Sequence, residues 1–216
     1  MRLIIEENDA KAGLWTARYI VARIKEKAAR TDRPFVLGLP TGSTPVETYK
    51  ELVRLYEAGE VSFRNVVTFN MDEYVGIPED HPESYHTFMR KHFFDHVDVP
   101  AANIHILDGN APDLQKECEE YERKIVAAGG IDLFLGGVGE DGHLAFNDPP
   151  VADFNDPVFA KVVKLEEKCR LQQVHDGCFE EIGQVPGHAI TVTIPGLTAA
   201  RSMFCSVPAA TKAEAV

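Results

Sequence analysis

Short apolar runs alternate along this chain with stretches of helical periodicity, and that alternation limits its possible folds more than any other feature. The runs are Phe35-Val36-Leu37-Gly38-Leu39, Val66-Val67-Thr68-Phe69-Asn70, Ile131-Asp132-Leu133-Phe134-Leu135, Lys161-Val162-Val163-Lys164-Leu165, Ala189-Ile190-Thr191-Val192-Thr193-Ile194 and Met203-Phe204-Cys205-Ser206-Val207. Residues 2–5 and the region of Ile104 read as shorter strands. Between them, Ala10, Leu14, Ala17, Val21, Ile24 and Ala28 recur at spacings of four and three, which is one helical stripe. Asn8 or Asp9 is placed to cap that helix, and Trp15 falls beside the stripe as a packing residue. A second helix opens near Pro45. An amphipathic third covers 84–96 and carries Tyr85, Phe88, His92 and His96. A strongly charged one covers 113–128 and stops at Gly129-Gly130. Residues 166–174 are helix-like, with Arg170 near the middle. Strands alternating with helices predict an α/β chain, doubly wound around a mostly parallel, Rossmann-like sheet. Residues 1–216 suit a single domain.

In such a sheet ligands lie beyond the C-terminal ends of the strands, so the residues that follow each apolar run matter most. After 131–135 comes Gly136-Gly137-Val138-Gly139-Glu140-Asp141-Gly142-His143-Leu144-Ala145-Phe146-Asn147-Asp148-Pro149. Its glycines, Gly137 among them, let backbone approach a ligand closely. Asp141, His143 and Asp148 read as an oriented general acid/base, one carboxylate fixing the imidazole tautomer. The plainer reading is a satisfied surface histidine in a turn.

After 35–39 comes Pro40-Thr41-Gly42-Ser43-Thr44-Pro45, with Thr44 as N-cap, Pro45 as the first helical residue and Glu47 completing a capping box. This turn is either an anion site at a helix N-terminus or an ordinary strand-to-helix connection. Its spacing is not that of a nucleotide P-loop. After 66–70 comes Met71-Asp72-Glu73-Tyr74, which puts two carboxylates in the crevice or, failing that, two solvated or capping acids.

Hydrophobic residues make up 44% of the chain, enough for a sizeable core. The net charge of −12 argues against non-specific nucleic-acid binding, which needs a basic face. A phosphorylated metabolite is still compatible, because only its pocket must be positive. The start of the chain is charged too soon for a signal peptide. No apolar run approaches the ~18 residues of a membrane span. The four cysteines form no C-x-x-C pair, so a reduced, cytoplasmic protein is expected. The eight histidines are scattered along the chain. No metal site and no cofactor is expected.

The motifs Leu39-Pro40-Thr41-Gly42-Ser43-Thr44-Pro45, Phe69-Asn70-Met71-Asp72-Glu73-Tyr74-Val75-Gly76, His81-Pro82-Glu83-Ser84-Tyr85 and Gly137-Val138-Gly139-Glu140-Asp141-Gly142-His143-Leu144-Ala145-Phe146-Asn147 resemble the glucosamine-6-phosphate deaminase (isomerase) family. The match is dense up to about residue 149 and looser beyond. The resemblance implies conversion of D-glucosamine 6-phosphate and water to D-fructose 6-phosphate and ammonia, in amino-sugar catabolism and without a cofactor. It implies that Asp72 moves the proton between C2 and C1 and that His143 assists ring opening. Asp141 and Asp148 would orient and tune that histidine. The phosphate would be held by Ser43 with the neighbouring Thr41, Gly42 and Thr44, and by Arg170 and Lys212. The expected partners are a small-molecule sugar phosphate and further copies of the chain in a homo-oligomer, with no nucleic acid and no membrane.

Two departures from the family pattern matter. Position 148 is Asp where many members have Glu, one methylene shorter, so either the backbone shifts or Asp141 alone orients the ring. Val151-Ala152-Asp153 supply no cation for an effector phosphate, so activation by N-acetylglucosamine 6-phosphate is not expected. The chain also reads as C-terminally shortened, which leaves Lys212 poorly fixed. Two other readings compete: a 6-phosphogluconolactonase-like hydrolase, which needs no base at C2, and a sugar-phosphate-sensing domain, which loses the catalytic acids. Asn70-Met71-Asp72-Glu73 and Ala145-Phe146-Asn147 favour the deaminase.

Overall fold

The computed structural model describes residues 2–175, 177–208 and 210–216. In chain order the elements are α1 (Asp9–Ala28), β1 (Phe35–Leu39), α2 (Val46–Glu57), β2 (Val66–Asn70), β3 (Asp72–Tyr74), α3 (Tyr85–His92), β4 (Ile104–His105), α4 (Leu114–Ala127), β5 (Leu133–Gly137), β6 (Ala160–Lys164), α5 (Glu167–His175), β7 (His188–Val192), α6 (Ile194–Thr198) and β8 (Met203–Ser206). Single 3-10 turns occupy Phe94–His96, Ala101–Asn103 and Ala210–Ala215. Five strands form a sheet in the order β4-β2-β1-β5-β8, and every neighbouring pair in it is parallel. No described helix is long and apolar enough to cross a membrane.

The inner strands β1 and β5 are apolar because both of their faces are covered. In β1, Phe35, Leu37 and Leu39 face a core shared with α1, α2 and α3. Val36 faces the opposite core, which α4 closes with Cys118, Tyr121 and Ile125. β5 alternates the same way, with Leu133 and Leu135 on the first side and Phe134 on the second. Burying each such side chain contributes about 1.5–3 kcal/mol. α1 takes its cap from Asn8, whose side chain accepts from the Lys11 N–H. Its Gly13 lies so close to Glu47 of α2 that a Cβ there would collide. Trp15 stacks on Tyr19 and Phe204, with ring centroids 5.3 and 5.5 Å away.

The structure departs from the sequence reading in four places. β6 and β7 belong to a separate antiparallel sheet, β3-β7-β6, because strand direction leaves no mark in a local apolar pattern. Residues 2–5 form no strand; Leu3 and Ile5 are 72% and 84% exposed, and without a sheet edge to join, their backbone gains nothing from extension. The helix expected over 84–96 breaks at Phe93, and a 3-10 turn follows. The capping box at Thr44 does not form: α2 starts one residue late, at Val46, with no side-chain cap, and Glu47 instead pairs with Lys50 at 2.6 Å.

Gly38 sits where β1 passes under Phe134, and a Cβ there would overlap that fully buried ring. Overpacking of this kind costs about 1–3 kcal/mol. We expect Gly38→Ala to lower the thermal midpoint by roughly 2–12 °C, at about 2–4 °C per kcal/mol for a chain of this size. A melt by circular dichroism checks it; an unchanged midpoint would mean the β1–β5 seam is looser than described.

Candidate active site

The order β4-β2-β1-β5-β8 runs outward from β1 in both directions, so the connections leaving β1 and β5 diverge and a crevice opens between their ends. A cleft of about 430 Å³ lies there. Its walls include Pro40 to Thr44 after β1, Asp72 and Tyr74 on β3, Gly137 to Gly139 and His143 after β5, and Lys212 from the last 3-10 turn. Gly137 keeps the two loops together: a Cβ on it would stand 3.3 Å from Thr44 Cγ2.

The loop after β5 is folded around His143. Gly142 has φ +88°, a conformation that favours glycine. The Gly139 N–H donates to the His143 carbonyl at 2.9 Å. The imidazole lies directly over Gly139, where any Cβ would overlap the ring. His143 Nδ1 is 2.6 Å from Asp141 Oδ1 and 3.4 Å from Asp148 Oδ1. Beside an ionised carboxylate Nδ1 must carry the hydrogen, so Nε2 is the nitrogen left for a ligand. The two acids differ. Burial pushes the Asp141 carboxyl upward, but the His143 charge and hydrogen bonds outweigh it and leave the group below its usual range. Asp148 is 3% exposed, and burial raises its carboxyl. Its Oδ1 has no hydrogen-bond partner. The missing methylene thus appears as a gap, with Asp141 making the short contact and Asp148 standing behind. Three possible ligand atoms of Asp141, His143 and Asp148 lie within 4.8 Å of one another, a group with metal-ligand spacing among the described residues. Ala145, which follows, has φ 52°, a strained value for a residue with a Cβ that costs of order 1–3 kcal/mol. It lines the cleft.

Asp72 and Glu73, adjacent on β3, face opposite ways, as strand geometry requires. Asp72 lines the cleft and is 6% exposed. Burial first, and the neighbouring Glu73 charge second, hold its carboxyl well above the usual range. Glu73 turns away to the start of α3. It accepts from the Tyr85 N–H at 2.9 Å, the His86 N–H at 3.2 Å and His86 Nδ1 at 2.8 Å. A carboxylate at a helix N-terminus answers unpaired N–H groups and the helix dipole, so Glu73 fastens β3 to α3.

The expected substrate-binding residues divide. Thr41, Gly42, Ser43, Thr44, Gly137 and Lys212 all line the cleft. Lys212, expected to be poorly fixed, donates from Nζ to Thr44 Oγ1 at 3.0 Å; the hydroxyl read as a helix cap is used here instead. Arg170 does not line the cleft. Its Nη2 donates to the carbonyls of Ile182 and Val185 at 2.6 and 2.8 Å. Through that nitrogen Arg170 ties α5 to the segment before β7, while its Nε is buried without a hydrogen-bond partner. Lys91, His92, Cys169, Gln173 and Cys178 also line the cleft, and the sequence reading assigned none of them to it. Helical spacing put Lys91 and His92 on an amphipathic helix but could not tell which face looked into the site.

The chain is similar to known proteins along nearly its whole length. Residues 8–216 match the family described as glucosamine-6-phosphate isomerases/6-phosphogluconolactonase. A glucosamine-6-phosphate deaminase of Yersinia enterocolitica is 52% identical over the whole of this chain and 80% of its own length. Among solved structures, a monomeric glucosamine-6-phosphate deaminase superposes with TM-score 0.87 at 35% identity, covering 95% of this chain and 81% of its own. A 6-phosphogluconolactonase of Thermotoga maritima superposes with TM-score 0.71 at 22% identity, covering 94% of this chain and 81% of its own; at that identity the likeness is one of fold.

A carboxyl raised in the folded state favours folding while it is protonated, and that contribution is lost as pH rises through its folded value. Asp72 should therefore make the protein less stable at neutral pH than a neutral isostere would. We expect Asp72→Asn to have the higher thermal midpoint at pH 8, the advantage shrinking as pH falls toward the ordinary carboxylate range. Melts across pH read this directly; a variant less stable than the parent at pH 8 would show that the Asp72 charge is well solvated.

Proposed function

The chain belongs to the glucosamine-6-phosphate isomerase/6-phosphogluconolactonase family, and within it we propose that this chain is a glucosamine-6-phosphate deaminase. It converts D-glucosamine 6-phosphate and water to D-fructose 6-phosphate and ammonia. The single observation that carries the site assignment is the convergence of Asp72, His143 and the turn of residues 41–44 on one cleft. The 52% identity to a deaminase along the full chain supports the activity. The reading treats residues 1–216 as a single catalytic domain, because the cleft draws on segments from Pro40 to Lys212.

The residues suit the steps. His143 Nε2 takes the proton of the C1 hydroxyl and delivers it to the ring oxygen as the C1–O ring bond breaks, which opens the pyranose. The resulting imidazolium is stabilised by Asp141 at 2.6 Å, with Asp148 behind it. Asp72 then takes the C2 proton, giving an enolamine, and returns a proton at C1. This leaves a ketimine at C2; water adds there and ammonia departs. A partly desolvated carboxylate is a stronger base than one in water. The Thr41–Thr44 turn and Lys212 hold the phosphate and fix which carbons meet Asp72. Lactone hydrolysis would leave Asp72 without a role at C2. A phosphorylated substrate agrees with the cytoplasmic location expected from the sequence. Self-association is a separate question that sedimentation velocity decides, since the 35%-identical structure is of a monomeric enzyme.

The test is an assay of glucosamine 6-phosphate for equimolar ammonia and fructose 6-phosphate. We expect His143→Gln to slow turnover by about 10²–10⁴-fold on the cyclic substrate, the usual size of lost acid/base help, while phosphate binding persists. Near-parental turnover in that variant would remove His143 from ring opening. Absence of ammonia with the parent protein would remove the reaction itself.

A further inference from the structure

We propose that Lys91 is a substrate-recognition residue, a cation that the cleft presents beside Lys212 to the substrate's phosphate dianion. The inference rests on the sugar-phosphate reading above and adds a residue that reading did not contain. Among the described residues, the lysines and arginines that line the cleft are Lys212 and Lys91, set against the acids Asp72 and Glu83. In a chain of net charge −12, an anionic ligand needs local positive charge to approach such a site.

Lys91 is placed for this by packing. It occupies the last turn of α3. On the same helix face, Phe88 and His92 are in ring contact at 4.4 Å, and both line the cleft. Phe88 meets Tyr49 of α2 edge-on at 6.5 Å. The buried Tyr49 hydroxyl donates to the Pro40 carbonyl at 2.5 Å, at the start of the phosphate turn. A chain of fixed aromatic contacts thus carries the end of α3 to the side of residues 40–44. Lys91 is exposed, and no described carboxylate lies within ion-pair distance of it, whereas its neighbour Arg90 pairs with Glu79 at 3.7 Å. Burial, together with the Lys91 and Lys50 charges and His96, keeps His92 below its usual range, which agrees with a positive rim at this end of the cleft.

The experiment is steady-state kinetics on Lys91→Gln and Lys91→Arg, with titration of inorganic phosphate against each. An exposed charge meeting a phosphate is worth up to about a fivefold change in affinity. We expect Lys91→Gln to raise KM by that factor with kcat within about twofold and the thermal midpoint unchanged. Its kcat/KM should depend less on salt, its phosphate affinity should fall in parallel, and Lys91→Arg should restore parental values. An unchanged KM and phosphate affinity in Lys91→Gln would overturn the proposal, as would an equal loss in Lys91→Arg. If the parent releases no ammonia, the reaction reading fails, and the phosphate titration alone still decides whether Lys91 meets the anion.

Discussion

The site depends on where the chain changes sheets. β2 ends at Asn70, and the next residue, Met71, is bonded to both sheets. Its N–H donates to the Leu39 carbonyl at 3.1 Å, and its carbonyl accepts from the Val192 N–H at 2.8 Å. One bond belongs to the end of β1, the other to the antiparallel sheet. Met71 itself is buried, so the crossover can neither slide nor twist. The next residue is Asp72. Its position over the ends of β1 and β5 follows from that double anchorage, and Glu73 adds a third tie by holding the start of α3. Buried carboxylates that close in sequence repel, and the strand resolves this by pointing them apart.

Much of this was legible in the sequence. The apolar runs gave β1, β2, β5 and β8 within a residue or two, because strands covered on both faces are built mainly from apolar residues. The three cleft loops followed from asking what comes after each run. What stayed hidden was non-local. Nothing in Lys161 to Leu165 says that this strand pairs antiparallel with β7. Nothing around Arg170 says that its Nη2 reaches the carbonyls of Ile182 and Val185, a dozen or more residues on. Thr44 looked like a helix cap because a free hydroxyl beside Pro45 has that use locally. Only the fold brings Lys212, 168 positions away, to compete for it.

The cleft concentrates features that work against stability. Asp72 and Asp148 are buried carboxyls, both raised. Asp148 Oδ1 lacks a hydrogen bond, and Ala145 holds a positive φ. Such groups each work against the native state and persist only because the surrounding core over-determines them. Here that core is the sandwich of α1, α2 and α3 on one face of the sheet and α4 on the other. Asp141, the more exposed of the two acids beside His143, makes the shorter contact with the imidazole, and Asp148 stands 3.4 Å from it.

The central claim is that one bound molecule touches the turn of residues 41–44, Asp72 and His143 together. The most direct measurement is a crystal structure with an unreactive open-chain alditol analogue of the amino-sugar phosphate. The account predicts the phosphate on the Thr41–Thr44 turn, with C1 and C2 within hydrogen-bonding reach of the Asp72 carboxylate and the oxygen destined for ring closure near His143 Nε2. A phosphate lodged away from that turn, or an amino-bearing carbon remote from Asp72, would contradict it.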